Sequence, residues 1–149
     1  MTKKQEQTYS FVLTKDLIEQ TTLATDRVRV PEWDAQAQQQ SGNAEAVAVV
    51  CIREMTAAER AKVQKLLVTV RGSTDAHVTF AEFPKLQALI AVFGAINEDG
   101  SPMFAERDAD WLAAKSGAAV NRIAQAVQRL SGMIRDEGEP TPAAEALGN

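Results

Sequence analysis

Residues 96–108, INEDGSPMFAERD, carry side chains at the spacing of a calcium-binding loop. With Gly100 at position 6 of an EF-hand, Asn97 falls at position 3, Asp99 at 5 and Glu106 at 12. Ala95 occupies position 1, where the first carboxylate belongs, and Pro102 replaces an aliphatic residue at position 8. Without the leading carboxylate, the loop lacks a charge on which calcium affinity depends. Asp99-Gly100 is also a common turn pair, because glycine accepts a positive φ without strain. The stretch is expected to be a tight turn ahead of a helix, and no metal or other cofactor is expected.

Catalysis has little to build on. His77 is the only histidine and lies in a Gly/Ser/Asp-containing segment, where a surface position is expected. Cys51, the only cysteine, stands in an apolar run and is expected to be a buried, inert thiol. One histidine and one cysteine cannot form a multi-Cys/His zinc site. Neither a GxxxxGK[ST] phosphate loop nor a GxSxG elbow occurs. The acid pairs Glu98/Asp99 and Asp108/Asp110 suit a turn and a helix start; sharing a proton would require burial. On its residues alone, the chain reads as a small interaction protein and not an enzyme.

The elements that hold these residues follow from composition and periodicity. At 149 residues, 45% hydrophobic and 24% charged, one domain is expected, with roughly two-thirds of the unfolded surface buried. Aromatic content of 5% implies a core of Ala, Val, Leu and Ile. A net charge of −4 argues against general nucleic-acid binding. The lone cysteine rules out an intramolecular disulfide and fits a reducing compartment. No basic-plus-apolar leader and no apolar run of membrane-spanning length is seen, so a soluble, intracellular protein is expected.

Residues 1–12 read as a flexible arm, 13–134 as the domain and 135–149 as a disordered tail rich in Pro, Glu and Ala. Thr14 can cap a short helix over 14–23. VRVPEW (28–33) reads as an edge strand, because Pro31 within it cannot donate to a ladder; residues 34–46 read as a long loop, and VAVVCIRE (47–54) as a buried strand apolar on both faces. After Met55 the apolar period changes from 2 to 3.6. Thr56 and Glu59 form a capping box, and Val63, Leu66, Leu67 and Val70 form a core stripe, closed by Gly72-Ser73. A second T-x-x-E, Thr79 with Glu82, precedes Leu86, Leu89, Ile90 and Phe93. Further helices are expected from 105 and over 118–134, with Ser116-Gly117 at the corner between them. The predicted fold is α+β: a predominantly helical single domain with an N-terminal β-hairpin (about 27–33 and 47–54) packed on about four helices. Trp33 is expected to be a half-buried anchor beside that hairpin. Arg60, Lys62, Lys65 and Arg71 on the helix 56–71 leave a DNA-binding or regulatory protein as the alternative, although a solvated helix face also explains them.

The order of these elements resembles the tail assembly chaperones of long-tailed bacteriophages with non-contractile tails. The first motif is VRVPEW followed by VCIREMTAAER, with Val28, Val30, Pro31, Glu32, Trp33, Ile52, Arg53, Thr56, Glu59 and Arg60 at the matching positions. The second is the acidic-Gly turn and helices of INEDGSPMFAERDADWLAAKSGAAVNRIAQAVQRLSG, where Asp99, Gly100, Phe104, Asp108, Leu112, Lys115, Ser116 and Ile123 correspond. Together the motifs span about residues 14–133. Two departures stand out: Asp34 follows the Trp where the family usually has Gly, and the connection over 34–46 is longer than usual.

The resemblance implies a chaperone that coats the tape measure protein, keeps its apolar helices from aggregating and recruits tail tube protein before release. It further implies self-association into a homo-oligomer and, in some members, an extended form made by ribosomal frameshifting. The implied location is the host cytoplasm and not the mature virion, with no nucleic-acid or membrane partner. The family-motif positions Pro31, Glu32, Trp33, Arg53, Asp99, Gly100 and Phe104 are the candidate structural or partner-binding residues.

Overall fold

The computed structural model describes residues 9–71 and 82–134. In chain order its elements are α1 (Lys15–Glu19), β1 (Thr25–Arg29), a 3-10 turn (Pro31–Trp33), α2 (Asp34–Ser41), β2 (Val49–Arg53) and α3 (Ala57–Arg71). They continue with α4 (Glu82–Gly94), β3 (Ala95–Ile96), a 3-10 turn (Glu106–Asp108), α5 (Ala109–Leu112) and α6 (Gly117–Leu130). The architecture is α+β, with an antiparallel sheet of order β1-β2-β3 beside the helices. Among the described residues, no helix is long and apolar enough to cross a membrane. Residues 1–8 of the expected arm, the tail 135–149, His77, Gly72-Ser73 and Thr79 lie outside the described residues.

Local chemistry sets most boundaries. The Leu17 amide donates to Thr14 Oγ1 at 3.4 Å, which starts α1. The Thr56 capping box closes from both sides. Glu59 N–H donates to the threonine hydroxyl at 3.1 Å, and Thr56 N–H to the Glu59 carboxylate at 2.9 Å. Ser116 caps α6 by accepting from the Ala119 amide. That helix ends in a Schellman motif, with Met133 N–H on Gln128 O, Gly132 N–H on Arg129 O, and Gly132 at φ +74°.

Four expectations require correction. Residues 34–46 are not a loop throughout, because α2 occupies Asp34–Ser41. Its Ala and Gln residues are good helix formers, and a helix with no buried residue carries no apolar stripe to reveal it. Strand β1 stops at Arg29, and Pro-Glu-Trp forms a 3-10 turn in place of further strand. Strand β2 is not buried on both faces: Val50 and Ile52 face the core, whereas Val49 is 47% exposed. The helix expected from 105 is reduced to a 3-10 turn and the single turn of α5. The pair β3, formed by Ala95 and Ile96 directly after α4, had no counterpart in the sequence reading.

The core is aliphatic and small. Val30, Ile52, Val63, Ile90, Leu112, Val120, Ile123 and Val127 are buried in one cluster, with Phe93 its one aromatic among the described buried residues. Helices α4 and α6 pack tightly because Ala88, Ala91 and Ala124 present little bulk and Gly94 presents none. A Cβ on Gly94 would collide with the methyl groups of Val127. Strand β2 and the end of α6 are tied by the Met55 amide, which donates to the buried Ser131 Oγ at 2.9 Å.

Candidate functional site

The Pro-Glu-Trp segment begins where buried Val30 leaves the sheet. Pro31 opens the 3-10 turn, and Trp33 N–H closes it on Val30 O at 3.0 Å. Trp33 is half-buried and packs against the core cluster. Glu32 receives the Arg122 guanidinium of α6 through contacts of 2.8 and 3.0 Å, which hold its carboxyl below the ordinary value. Asp34 then works in two directions. It accepts the Ala48 amide at 2.7 Å and the Arg29 guanidinium at 3.0 Å, so the start of α2 is pinned to both strands. Asp34 is therefore a structural joint.

Arg53, at the end of β2, grips Glu59 of α3 with two parallel hydrogen bonds of 2.8 Å. Both side chains are mostly buried. Burial acts to raise the Glu59 carboxyl, but the Arg53 bonds and the Thr56 amide outweigh it and hold the group below its ordinary value. The same hydrogen bonds raise the Arg53 guanidinium. This fork-to-carboxylate geometry fixes the angle between strand and helix.

The 96–108 stretch is a turn. Gly100 N–H donates to Asn97 O at 2.9 Å, Asn97 N–H to Ser101 O at 2.8 Å, and Gly100 takes φ +88°. This is a hairpin with glycine in the left-handed position, returning so that Ile96 bridges Pro102. Asp99 is occupied by the Ser101 amide at 2.9 Å and the Ser101 hydroxyl, which lower its carboxyl. Further on, Asp108 accepts the Ala105 amide at 2.7 Å and the Trp111 indole N–H at 2.8 Å. The Phe104 and Trp111 rings meet edge to face, 5.7 Å apart. Glu106, the would-be twelfth ligand, pairs with Lys62 at 3.0 Å. Among the described residues, no group of three or more His, Cys, Asp or Glu side chains could hold a metal ion.

The candidate residues thus stand at three separate joints: Pro31, Glu32 and Trp33 against α6 and α2, Arg53 against α3, and Asp99, Gly100 and Phe104 around the turn after β3. They are not gathered in one pocket. Two features went unforeseen. An apolar groove of about 380 Å³ runs between α2 and the start of β2, lined by Trp33, Ala37, Gln40, Val47 and Val49. The run Val47-Ala48-Val49-Val50 held the signal for it, since alternate members of a strand face opposite ways. The other is a depression of about 340 Å³ on the outer sheet face, floored by Cys51 and Ile96 and rimmed by Arg27 and the 97–100 turn. Cys51 is therefore half-buried, not buried as expected. On α3, Arg60 donates to Ser131 O at 3.3 Å, which with the Lys62–Glu106 pair engages two of the basic side chains internally.

No family model, curated protein or solved structure matches the chain.

Proposed function

We propose that this protein is a tail assembly chaperone of a long-tailed bacteriophage with a non-contractile tail. It binds the tape measure protein, recruits tail tube protein, and acts in the host cytoplasm without entering the mature virion. The observation that carries the reading is the joint order of the two motifs, VRVPEW with VCIREMTAAER and then the acidic-Gly turn with its two helices. On this reading the domain spans 13–134, and β1 and β2, with α2 between them, correspond to the family's N-terminal hairpin. The chemistry is binding and not catalysis. Amphipathic helices of a tape measure protein need apolar contact that is firm and reversible. Trp111, 48% exposed beside Phe104, and Val47 and Val49 on the groove offer such contact.

Co-expression tests the proposal. The tape measure protein is expected to be insoluble alone and recovered in a soluble complex with this chain. Equal solubility of the tape measure protein with and without the chain, and failure of either tail protein to co-purify, would reject it.

A further inference from the structure

Helix α2 is attached to the fold almost without packing. None of its eight residues is buried, and DAQAQQQS offers only Ala35 and Ala37 as apolar side chains. The groove of about 380 Å³ lies between it and the start of β2, so a gap stands where a packed helix would have side chains. Its ties to the sheet and to the turn before β2 are polar. Asp34 Oδ1 accepts the Ala48 amide at 2.7 Å, Asp34 Oδ2 accepts the Arg29 guanidinium at 3.0 Å, and Gln38 Nε2 donates to Ala46 O at 3.3 Å. The floor below is apolar: Val47 and Val49 are half exposed beside half-buried Trp33.

These features separate α2 energetically from the body. Detaching it forfeits those polar ties and no buried apolar side chain, whereas opening the body exposes the aliphatic core. An eight-residue helix is too short to hold alone in water, so α2 melts as it leaves and its amides open together with that of Ala48. The structure on either side persists through such an opening. Val30 N–H stays on Ala48 O at 2.9 Å and Trp33 stays against the core cluster, so the strand pairing asks nothing of α2. At the far end Gly42, at φ +70°, closes the helix ahead of a turn in which Ala46 N–H returns to Asn43 O.

We propose that α2 is a movable wall of the Trp33/Val47/Val49 groove, latched by Asp34. With the latch closed, the wall narrows the groove. With the latch released, α2 lifts from β2 as one unit and bares the three side chains as a single apolar strip. The device belongs to the segment between β1 and β2 and operates whether or not tail proteins bind. Its failure leaves the function proposed above standing, and failure of tape measure binding leaves the wall intact.

Native-state amide exchange on the full chain tests it. The amides of Gln38 to Gly42 and that of Ala48 should exchange through one shared opening that low denaturant leaves unchanged. The amides of buried Ile90 and Val127 should instead speed up steadily as denaturant is raised, because their opening exposes the core. Asp34→Ala should accelerate the α2 set and Ala48 about tenfold. Asp34→Asn keeps an acceptor for Ala48 but loses the charge facing Arg29, and should fall between. Val63→Ala removes buried volume from α3, a contact that survives when α2 lifts, so it should accelerate Ile90 and Val127 and leave the α2 set unchanged. The proposal is overturned if Ala48 exchanges only along with the core. It is equally overturned if the α2 amides exchange while Ala48 stays protected, which is fraying in place, or if Val63→Ala accelerates both sets alike.

Discussion

At the scale of single residues, two positions carry more than their size suggests. Gly94 sits where a Cβ would meet Val127, so Gly94→Ala forces α4 and α6 apart. We expect a loss of about 1–3 kcal/mol in denaturant unfolding, the usual cost of overpacking, despite alanine's better helix propensity. A gain in stability would show that the two helices slide freely. Glu59 carries the second. Its folded carboxyl lies below the ordinary 4.5, so its pairing with Arg53 stabilises the fold fully above that pH. The contribution falls away as pH drops through the lower folded value. Glu59→Gln should therefore destabilise at neutral pH and lose less stability on acidification than the wild type, read as unfolding midpoints against pH. Parallel acid limbs for the two proteins would contradict this account. Both positions were only partly visible in sequence. The T-x-x-E spacing announced the Thr56–Glu59 box, whereas Arg53 as its third member depends on how β2 meets α3. The contact of Gly94 with Val127 is invisible in one dimension.

At the scale of elements, the sequence was readable where burial imposed a period and unreadable where it did not. The stripes of α4 and α6 and the inward Val50 and Ile52 follow from periodicity, and Ser116 and Thr56 follow from capping chemistry. Helix α2 escaped because DAQAQQQS has no buried face, and β3 because two residues are too short for alternation to register. Asp34 is what holds α2 against the sheet, through the Ala48 amide and Arg29. Asp34→Ala removes an acid from the first turn and leaves a partly buried amide without its acceptor. A cost of about 1–2 kcal/mol is expected, with amide exchange rising first in α2 and at Ala48. Uniform exchange across the molecule would argue that α2 is not a separable element. The hairpin after β3 leads to a third expectation. Because the Asp99 oxygen nearest the turn is engaged by Ser101 and Glu106 by Lys62, millimolar calcium should leave the melting temperature unchanged. A chelator-reversible rise would restore the metal reading.

At the scale of the whole molecule, charge separates a protein-binding role from a DNA-binding one. The chain carries 20 acidic against 16 basic side chains, so any nucleic acid meets a net repulsive field at long range. The strongest local candidate for contact, α3, directs Arg60 to Ser131 O and Lys62 to Glu106. Freeing those side chains for phosphates would break contacts that tie α3 to the end of α6 and to the turn before α5. Binding to DNA would therefore be weak and sequence-independent, and it would fall on adding salt by a factor set by the number of phosphates contacted. In a gel shift, any complex seen at low ionic strength should weaken roughly tenfold or more by about 0.2 M salt. Apolar recognition of a helical client behaves in the opposite sense, because burying hydrocarbon depends little on screening and excluded salts strengthen it. A tape measure complex should accordingly survive the same salt step, and Trp111→Ala should weaken it while lowering the unfolding free energy by no more than about 2 kcal/mol, since that ring is half exposed and gives up only the Asp108 hydrogen bond and the Phe104 contact. A DNA complex that persists in salt while the protein complex dissolves would reverse the assignment and place function on α3.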